Sequence, residues 1–268
     1  MINDQELLLT AIDASISGGA EILEVYSQDF DVAFKEDKSP LTLADRRAHE
    51  AICTALKATG LPILSEEGKN IPYESRKDWK KFWLVDPLDG TKEFVLRNGE
   101  FTVNIALIIG GKAVLGVILV PVTGLLYFAS RSAGAFKIVI DGNKNSNHVK
   151  MIANAESLPS PTIVKTLTIV GSRSHLSPET ADFIQNLRTN DPDLEFKSIG
   201  SSLKMCLIAE GKAHIYPRFG PTMEWDTAAG QAILEIAGGK VLEVNSGEPV
   251  HYNKPELLNP WFIASRPR

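Results

Sequence analysis

Between residues 63 and 140 the chain places six short β-rich runs in succession, at 63–64, 82–85, 101–109, 113–120, 125–129 and 135–140. Gly, Pro and Asp-Gly steps punctuate them. Strands that follow one another without helices between them predict an antiparallel or mixed sheet. Helical patterns come first. Asn3, followed three residues later by Glu6, has the spacing of a capping box, and Leu8, Ile12, Ile16, Ala20 and Leu23 then recur on one face. A second helix is predicted from Thr42, carrying Ala44, Ala48, Ala51, Ile52, Ala55 and Leu56, with Pro40 upstream and Gly60 beyond as start and stop signals.

From residue 141 to 161 the chain turns polar, and the boundary between two lobes is expected here: an N-terminal α/β lobe over 1–155 and a C-terminal α/β lobe over 156–268. The second lobe alternates. Strands are predicted at 167–170, 194–199, 213–216 and 240–244, and helices at 178–187, 202–210 and 226–237, which reads as α/β. A length of 268 residues suits two domains, or one domain of two lobes.

Composition excludes several classes. With 28 Lys and Arg against 33 Asp and Glu, the net charge of −5 argues against a broad basic surface for nucleic-acid polymers. A small anionic substrate held by a few local bases remains open. Cys53 and Cys206 give neither a disulfide framework nor a zinc spacing, and are expected to pack in helices in a reducing compartment. Residues 1–6 carry acids where a signal peptide needs bases. The longest apolar stretch, 113–122, is broken by Gly116 and Pro121 and falls short of the roughly 18 residues that cross a bilayer.

Carboxylates carry the chemistry. In Trp83-Leu84-Val85-Asp86-Pro87-Leu88-Asp89-Gly90-Thr91 an apolar strand delivers Asp86 at its C-terminal end, and the extended turn at Pro87 lets Asp89 return to the same side. Gly90 permits close backbone approach before a helix start at Thr91. A strand followed by a capped polar turn would show the same D-x-x-D. Leu64-Ser65-Glu66-Glu67-Gly68 again places acids after a short apolar strand. Asp226 and Asp45 each open an apolar helix, where a capping role is the plainer reading. Taken together, acids without Cys or His partners fit Mg²⁺, a hard ion that prefers oxygen.

Asp86-Pro87-Leu88-Asp89-Gly90-Thr91, with Glu66-Glu67 upstream and Trp225-Asp226-Thr227-Ala228-Ala229 downstream, resembles the inositol monophosphatase superfamily of Mg²⁺-dependent, lithium-sensitive phosphatases. Lys38-Ser39-Pro40-Leu41-Thr42-Leu43-Ala44-Asp45 is similar to its upstream motif. Three further segments, 97–107, 198–204 and 216–222, resemble the bacterial 3′(2′),5′-bisphosphate nucleotidase branch.

The resemblance implies a layered αβαβα sandwich of two lobes, with the site between them. It implies one Mg²⁺ held by Glu66, Asp86 and the Leu88 carbonyl, and a second by Asp86, Asp89 and Asp226. Some members hold a third, weaker metal near Glu66. It further implies phosphate bound by the backbone at Gly90 and Thr91, and water oriented and deprotonated by the Thr91 hydroxyl and Asp45. Lys204 and Arg218 would hold a second phosphate, although either alone also reads as a solvated surface charge. His175, in Ser172-Arg173-Ser174-His175 after an apolar strand, would line the nucleotide site, although a lone loop histidine also reads as structural. Glu224, just before Asp226, would contact a sugar hydroxyl.

The expected activity is removal of the 3′-phosphate of adenosine 3′,5′-bisphosphate, and of its sulfated analogue, clearing a by-product of sulfate activation. An inositol or sugar phosphatase of the same superfamily, or a non-catalytic nucleotide or metal sensor, is the alternative. A cytoplasmic location is expected, either free or peripheral on the inner membrane, with the oligomeric state open.

Overall fold

The computed structural model describes residues 3–27, 32–34, 40–140, 152–160, 164–172 and 177–267. Two helices open the chain, α1 (Asp4–Tyr26) and α2 (Leu43–Lys57), with a two-stranded ribbon, β1 (Val32–Phe34) and β2 (Pro40–Thr42), between them. The expected capping box is present: Asn3 Oδ1 accepts from Glu6 N–H at 2.9 Å, and Asn3 N–H donates to Glu6 Oε2 at 3.0 Å. Gly18 and Gly19 sit inside α1, where each costs about 1 kcal/mol in helix propensity. Close packing offsets that cost, because a Cβ at Gly18 would lie 2.6 Å from Ile52 of α2 and one at Gly19 2.7 Å from Leu119.

The β-rich middle forms one seven-stranded sheet in the order β3 (Ile63–Ser65), β4 (Lys81–Asp89), β5 (Thr102–Ile109), β6 (Lys112–Val120), β7 (Leu125–Ser130), β8 (Gly134–Val139) and β9 (Glu156–Ser157). Only β3 and β4 run parallel, so the sheet is mixed, as the unbroken succession of strands predicts. Two short helices lie at its connections, α3 (Tyr73–Arg76), which periodicity does not reveal, and α4 (Thr91–Val95). Along β4, Trp83 and Val85 pack with α1 and α2, while Phe82 and Leu84 join the opposite core. That alternation is how a strand buried on both faces serves two layers.

The C-terminal portion contributes α5 (Pro178–Asn190), α6 (Leu203–Glu210), α7 (Glu224–Ile236) and a five-stranded sheet. Its order is β11 (Glu195–Ser198), β10 (Thr168–Gly171), β12 (Ile215–Arg218), β14 (Phe262–Ser265), β13 (Lys240–Glu243). The helices α6 and α7 lie between the two sheets, in one core with Leu84, Ile118 and Tyr127 on one side and Val241, Phe262 and Ala264 on the other. Ile184 of α5 packs on Ile169 beyond the smaller sheet. The layers therefore run α1/α2, large sheet, α6/α7, small sheet, α5, which is the αβαβα order. The large sheet extends through Ser157, just past residue 155. No helix among the described residues is long and apolar enough to cross a membrane.

Gly116 shows how tightly α7 is seated. A Cβ there would fall 2.3 Å from the Ala229 carbonyl oxygen, so bare β6 backbone receives α7. Gly116→Ala is expected to lower the unfolding free energy by about 1–3 kcal/mol through overpacking. A urea titration should show the lower midpoint with an unchanged slope.

Candidate active site

Four segments bring carboxylates to one end of the large sheet. Parallel pairing of β3 with β4 continues one residue past β3, where Glu66 N–H donates to the Val85 carbonyl at 3.1 Å, so Glu66 lies beside the end of β4. Within β4 the antiparallel register with β5 shifts between Asp86, opposite Asn104, and Asp89, opposite Thr102. Pro87 has no N–H to give the ladder, and Leu88 N–H turns to Asp86 Oδ1 at 3.1 Å. The bulge puts Asp86 and Asp89 on the same cavity. Gly90 then takes φ +94°, where a side chain would be strained, and hands the chain to α4 at Thr91.

Asp226 arrives from the other lobe as the third residue of α7. Its Oδ2 accepts from Met223 N–H at 2.8 Å, so it does serve the helix terminus, yet it also lines the cavity. Carboxylate oxygens of Glu66, Asp86 and Asp226 all lie within 4.8 Å of one another. Asp86 is only 1% exposed. Burial, followed by the charges of Glu66, Asp89, Asp226 and Asp45, pushes its carboxyl well above the usual range. Burial and Asp89 push Asp226 up in the same way, against the pull of the Met223 N–H. An all-oxygen set this close, with Asp86 buried at its centre, suits a hard divalent cation, which offsets the repulsion that helps to raise both groups.

The cavity, about 270 Å³, is lined by Glu66, Asp86, Leu88, Asp89, Gly90 and Thr91 from the first lobe. Ser172, Ser201, Ser202, Lys204, Arg218 and Asp226 line it from the second. Lys204 is not a solvated charge. It is 6% exposed, its Nζ donates to the carbonyls of Ile199 (3.3 Å) and Ser201, and it lies over the Tyr216 ring. Burial lowers its pKa to about 8, in spite of Asp89. Arg218 donates from Nη2 to the Pro221 carbonyl at 2.7 Å.

Asp45, in the first turn of α2, is 2% exposed and near enough to add its charge to Asp86, but it is not among the residues that line the cavity. His175 lies outside the described residues. Glu224 does not face the site, contrary to expectation. It is fully buried and accepts from Asn253 N–H (2.7 Å), Lys254 N–H (2.9 Å) and Lys254 Nζ (2.7 Å), tying the 253–254 turn to α7. Two residues apart on a helix, Glu224 and Asp226 point about 200° from one another.

Residue typing missed the partners of Asp89. The hydroxyls of Ser201 and Ser202 donate to Asp89 Oδ2 at 2.6 and 2.7 Å, from the turn that leads into α6. Ser201 holds φ +50°, and Lys204 grips its carbonyl.

Comparison with known proteins shows the family and the fold. Residues 3–265 match the inositol monophosphatase family. The chain is 43% identical over 254 residues to the 3′(2′),5′-bisphosphate nucleotidase CysQ of Escherichia coli (strain K12), covering 93% of this chain and 95% of that one. Among solved structures, CysQ from Bacteroides thetaiotaomicron superposes with a TM-score of 0.92 at 48% identity over all of both chains. The extragenic suppressor protein suhB from Bartonella henselae superposes with a TM-score of 0.72 at 25% identity, covering 97% and 93%. A family match over residues 3–265 and 43% identity over 93% of the chain assign it: it belongs to the inositol monophosphatase family.

Proposed function

We propose that the chain is a Mg²⁺-dependent 3′(2′),5′-bisphosphate nucleotidase that hydrolyses the 3′-phosphate of adenosine 3′,5′-bisphosphate to AMP and phosphate. One observation carries the reading. A single cavity is lined both by a carboxylate group that calls for cations and by Lys204 and Arg218, which call for an anion. A substrate with two phosphates satisfies both demands, and the nucleotidase of Escherichia coli (strain K12) is 43% identical to this chain over 254 residues.

In this reading Glu66, Asp86 and Asp226, with Asp89 and the Leu88 carbonyl, hold two Mg²⁺ ions, and Glu66 offers a place for a third. The ions supply charge neutralisation at the phosphoryl oxygens and acidify water at neutral pH. The protein supplies the rest. The N–H groups at Gly90 and Thr91 seat the phosphate about to leave, and the Thr91 hydroxyl orients the attacking water. Asp45, buried beside Asp86 though outside the cavity lining, would take up the water's proton as the bond from phosphorus to the ribose 3′-oxygen breaks. That oxygen leaves, protonated by solvent, as the hydroxyl of AMP. Lys204 and Arg218 hold the other phosphate, Arg218 through a forked contact and Lys204 as a point charge. Phosphate-monoester hydrolysis is so slow uncatalysed that positioning and charge neutralisation supply most of the acceleration.

Phosphate release should be compared for adenosine 3′,5′-bisphosphate, inositol 1-phosphate and fructose 1,6-bisphosphate with Mg²⁺, each with and without lithium. Lithium-sensitive preference for the nucleotide is expected. Preference for either of the others overturns the substrate reading and keeps the metal chemistry. Asp226→Asn is expected to lose at least about a hundredfold in kcat, since even partners one shell out from a metal are worth 10–100-fold.

The two bases make a separable prediction. Arg218→Met should raise KM for the bisphosphate by about 10–100-fold, the worth of a charged hydrogen bond, with little change for a monophosphate ester. Lys204 is cationic below pH about 8 and loses its proton above it. The kcat/KM for the bisphosphate should therefore fall as pH rises through about 8. Lys204→Met should lack that limb, and an unaltered profile in the variant would dismiss Lys204 as a phosphate ligand.

A further inference from the structure

Strand β5 is apolar from Val103 to Ile109 but for one residue, Asn104. Together with Thr102 it forms a polar pair on one face of the strand. Both are wholly buried, and neither is among the residues lining the cavity. Buried polar groups in a strand core require partners. Here every partner leads to Asp89. The Thr102 hydroxyl donates to Asn104 Oδ1 at 2.9 Å, which fixes the amide so that Nδ2 points the other way. Asn104 Nδ2 then donates to Ser202 Oγ at 2.9 Å, with Asp89 Oδ2 at 3.5 Å.

A hydroxyl has one proton. Because Asn104 fills an acceptor position on Ser202 Oγ, that proton must point away from β5. Its two acceptors are Asp89 Oδ2 at 2.7 Å and the Asp226 carbonyl at 2.8 Å, and the charged oxygen is the stronger of them. Ser201 Oγ also lies 2.6 Å from the same Oδ2, and its single proton has Thr102 Oγ1 (2.8 Å) and the Asp89 carbonyl (3.0 Å) as its other acceptors. One oxygen of Asp89 is thus engaged by the Ser202 hydroxyl.

We propose that Asn104 is a positioning residue for the metal site: acting through Ser202, it fixes the rotation of the Asp89 carboxylate so that Oδ1 is the oxygen left to a divalent cation. Asn104 touches neither substrate nor metal. Its amide sets the direction of one hydroxyl, and that hydroxyl joins the first lobe's Asp89 to the segment of the second lobe that precedes α6. The inference rests on the reading of the carboxylate group as a Mg²⁺ site.

The test is a calorimetric titration of the intact, substrate-free protein with MgCl₂, for the wild type, Asn104→Leu, Ser202→Ala and the double variant. Melting in EDTA serves as the folding control. Each single substitution should weaken Mg²⁺ binding about tenfold, as loss of a residue supporting a metal ligand does. Residues in one relay are not additive, so the double variant should lie within about threefold of the weaker single one. In assays at saturating Mg²⁺, kcat should return towards the wild-type value while the Mg²⁺ concentration for half activity stays raised.

Binding by Asn104→Leu within twofold of the wild type overturns the proposal. So does a double variant weakened by the product of the two single effects, which is what independent structural roles give. Should Asn104→Leu fail to fold, Thr102→Val with Ser202→Ala makes the same cycle from the other end of the relay and carries the same two outcomes. The titrations contain no nucleotide. A protein that binds Mg²⁺ as described yet prefers another phosphate ester refutes the substrate reading alone, whereas a wild type that binds no divalent cation refutes this inference.

Discussion

Crowded negative charge at the end of β4 is the constraint to which the rest of the molecule answers. Asp86 is almost wholly buried, with Glu66, Asp89, Asp226 and Asp45 raising its carboxyl further. A carboxylate in that position is costly unless a cation or several donors meet it. The fold does not spread these acids apart. It holds them in place with a bulge at Pro87, a helix terminus at Met223 and two serine hydroxyls at Asp89. Arrangements that sustain repulsion between like charges at a cavity mark function, because stability alone would remove them.

Packing explains how elements from both sheets build one site. Asp226 reaches Asp86 because α7 lies directly on the bare backbone of Gly116, so the second lobe's helix belongs to the first lobe's core. Polar ties fix α6 and α7 along their lengths. At the far end of α6, buried Glu210 accepts from Tyr127 (2.6 Å) on β7 and Lys137 (2.5 Å) on β8, and pairs with Lys212. Burial would raise its carboxyl, but Lys137, Lys212 and Tyr127 hold it below the ordinary value. Beside α7, buried Arg76 donates to Asn253 Oδ1 and the Pro255 carbonyl, and Glu224 grips the same turn. A strand-end cluster assembled from both lobes needs this rigidity, since displacements near 1 Å at reacting groups are costly.

Much of this was legible along the chain, and the reasons differ by residue. Asp86 and Asp89 share one turn, so a strand followed by Pro and Gly announced them. The capping box at Asn3 and the succession of strands were local patterns too. The nearness of Glu66, Asp86 and Asp226 was not local. It follows from a parallel β3–β4 pairing and from α7 seated on Gly116, and periodicity states neither; the motifs of the family supplied the grouping. Glu224 departs from expectation because adjacency in sequence is not adjacency in space: a helix turns i and i+2 away from one another. Strand β14 escaped because its four residues pair with β12 and β13 only after the chain has returned across the small sheet. The helix α3 is a single turn with no period to detect.

The serine clamp marks a deeper limit of residue typing. Ser201 and Ser202 are ordinary turn residues, and nothing in their type separates a hydroxyl facing solvent from one that engages a carboxylate oxygen. What distinguishes them is their partner strand. Thr102 and Asn104 stand opposite Asp89 and Asp86 in the register, buried in an otherwise apolar strand. A polar residue in such a place must be matched by another polar group, so it points to its partner as surely as a motif does. The same reasoning ties specificity to stability here. The donors that order Asp89 are internal to the protein and are present before any ligand arrives, so ligands meet a carboxylate whose orientation entropy has already been removed. The cost of that order falls on folding, which is where a core threaded through both lobes is able to bear it.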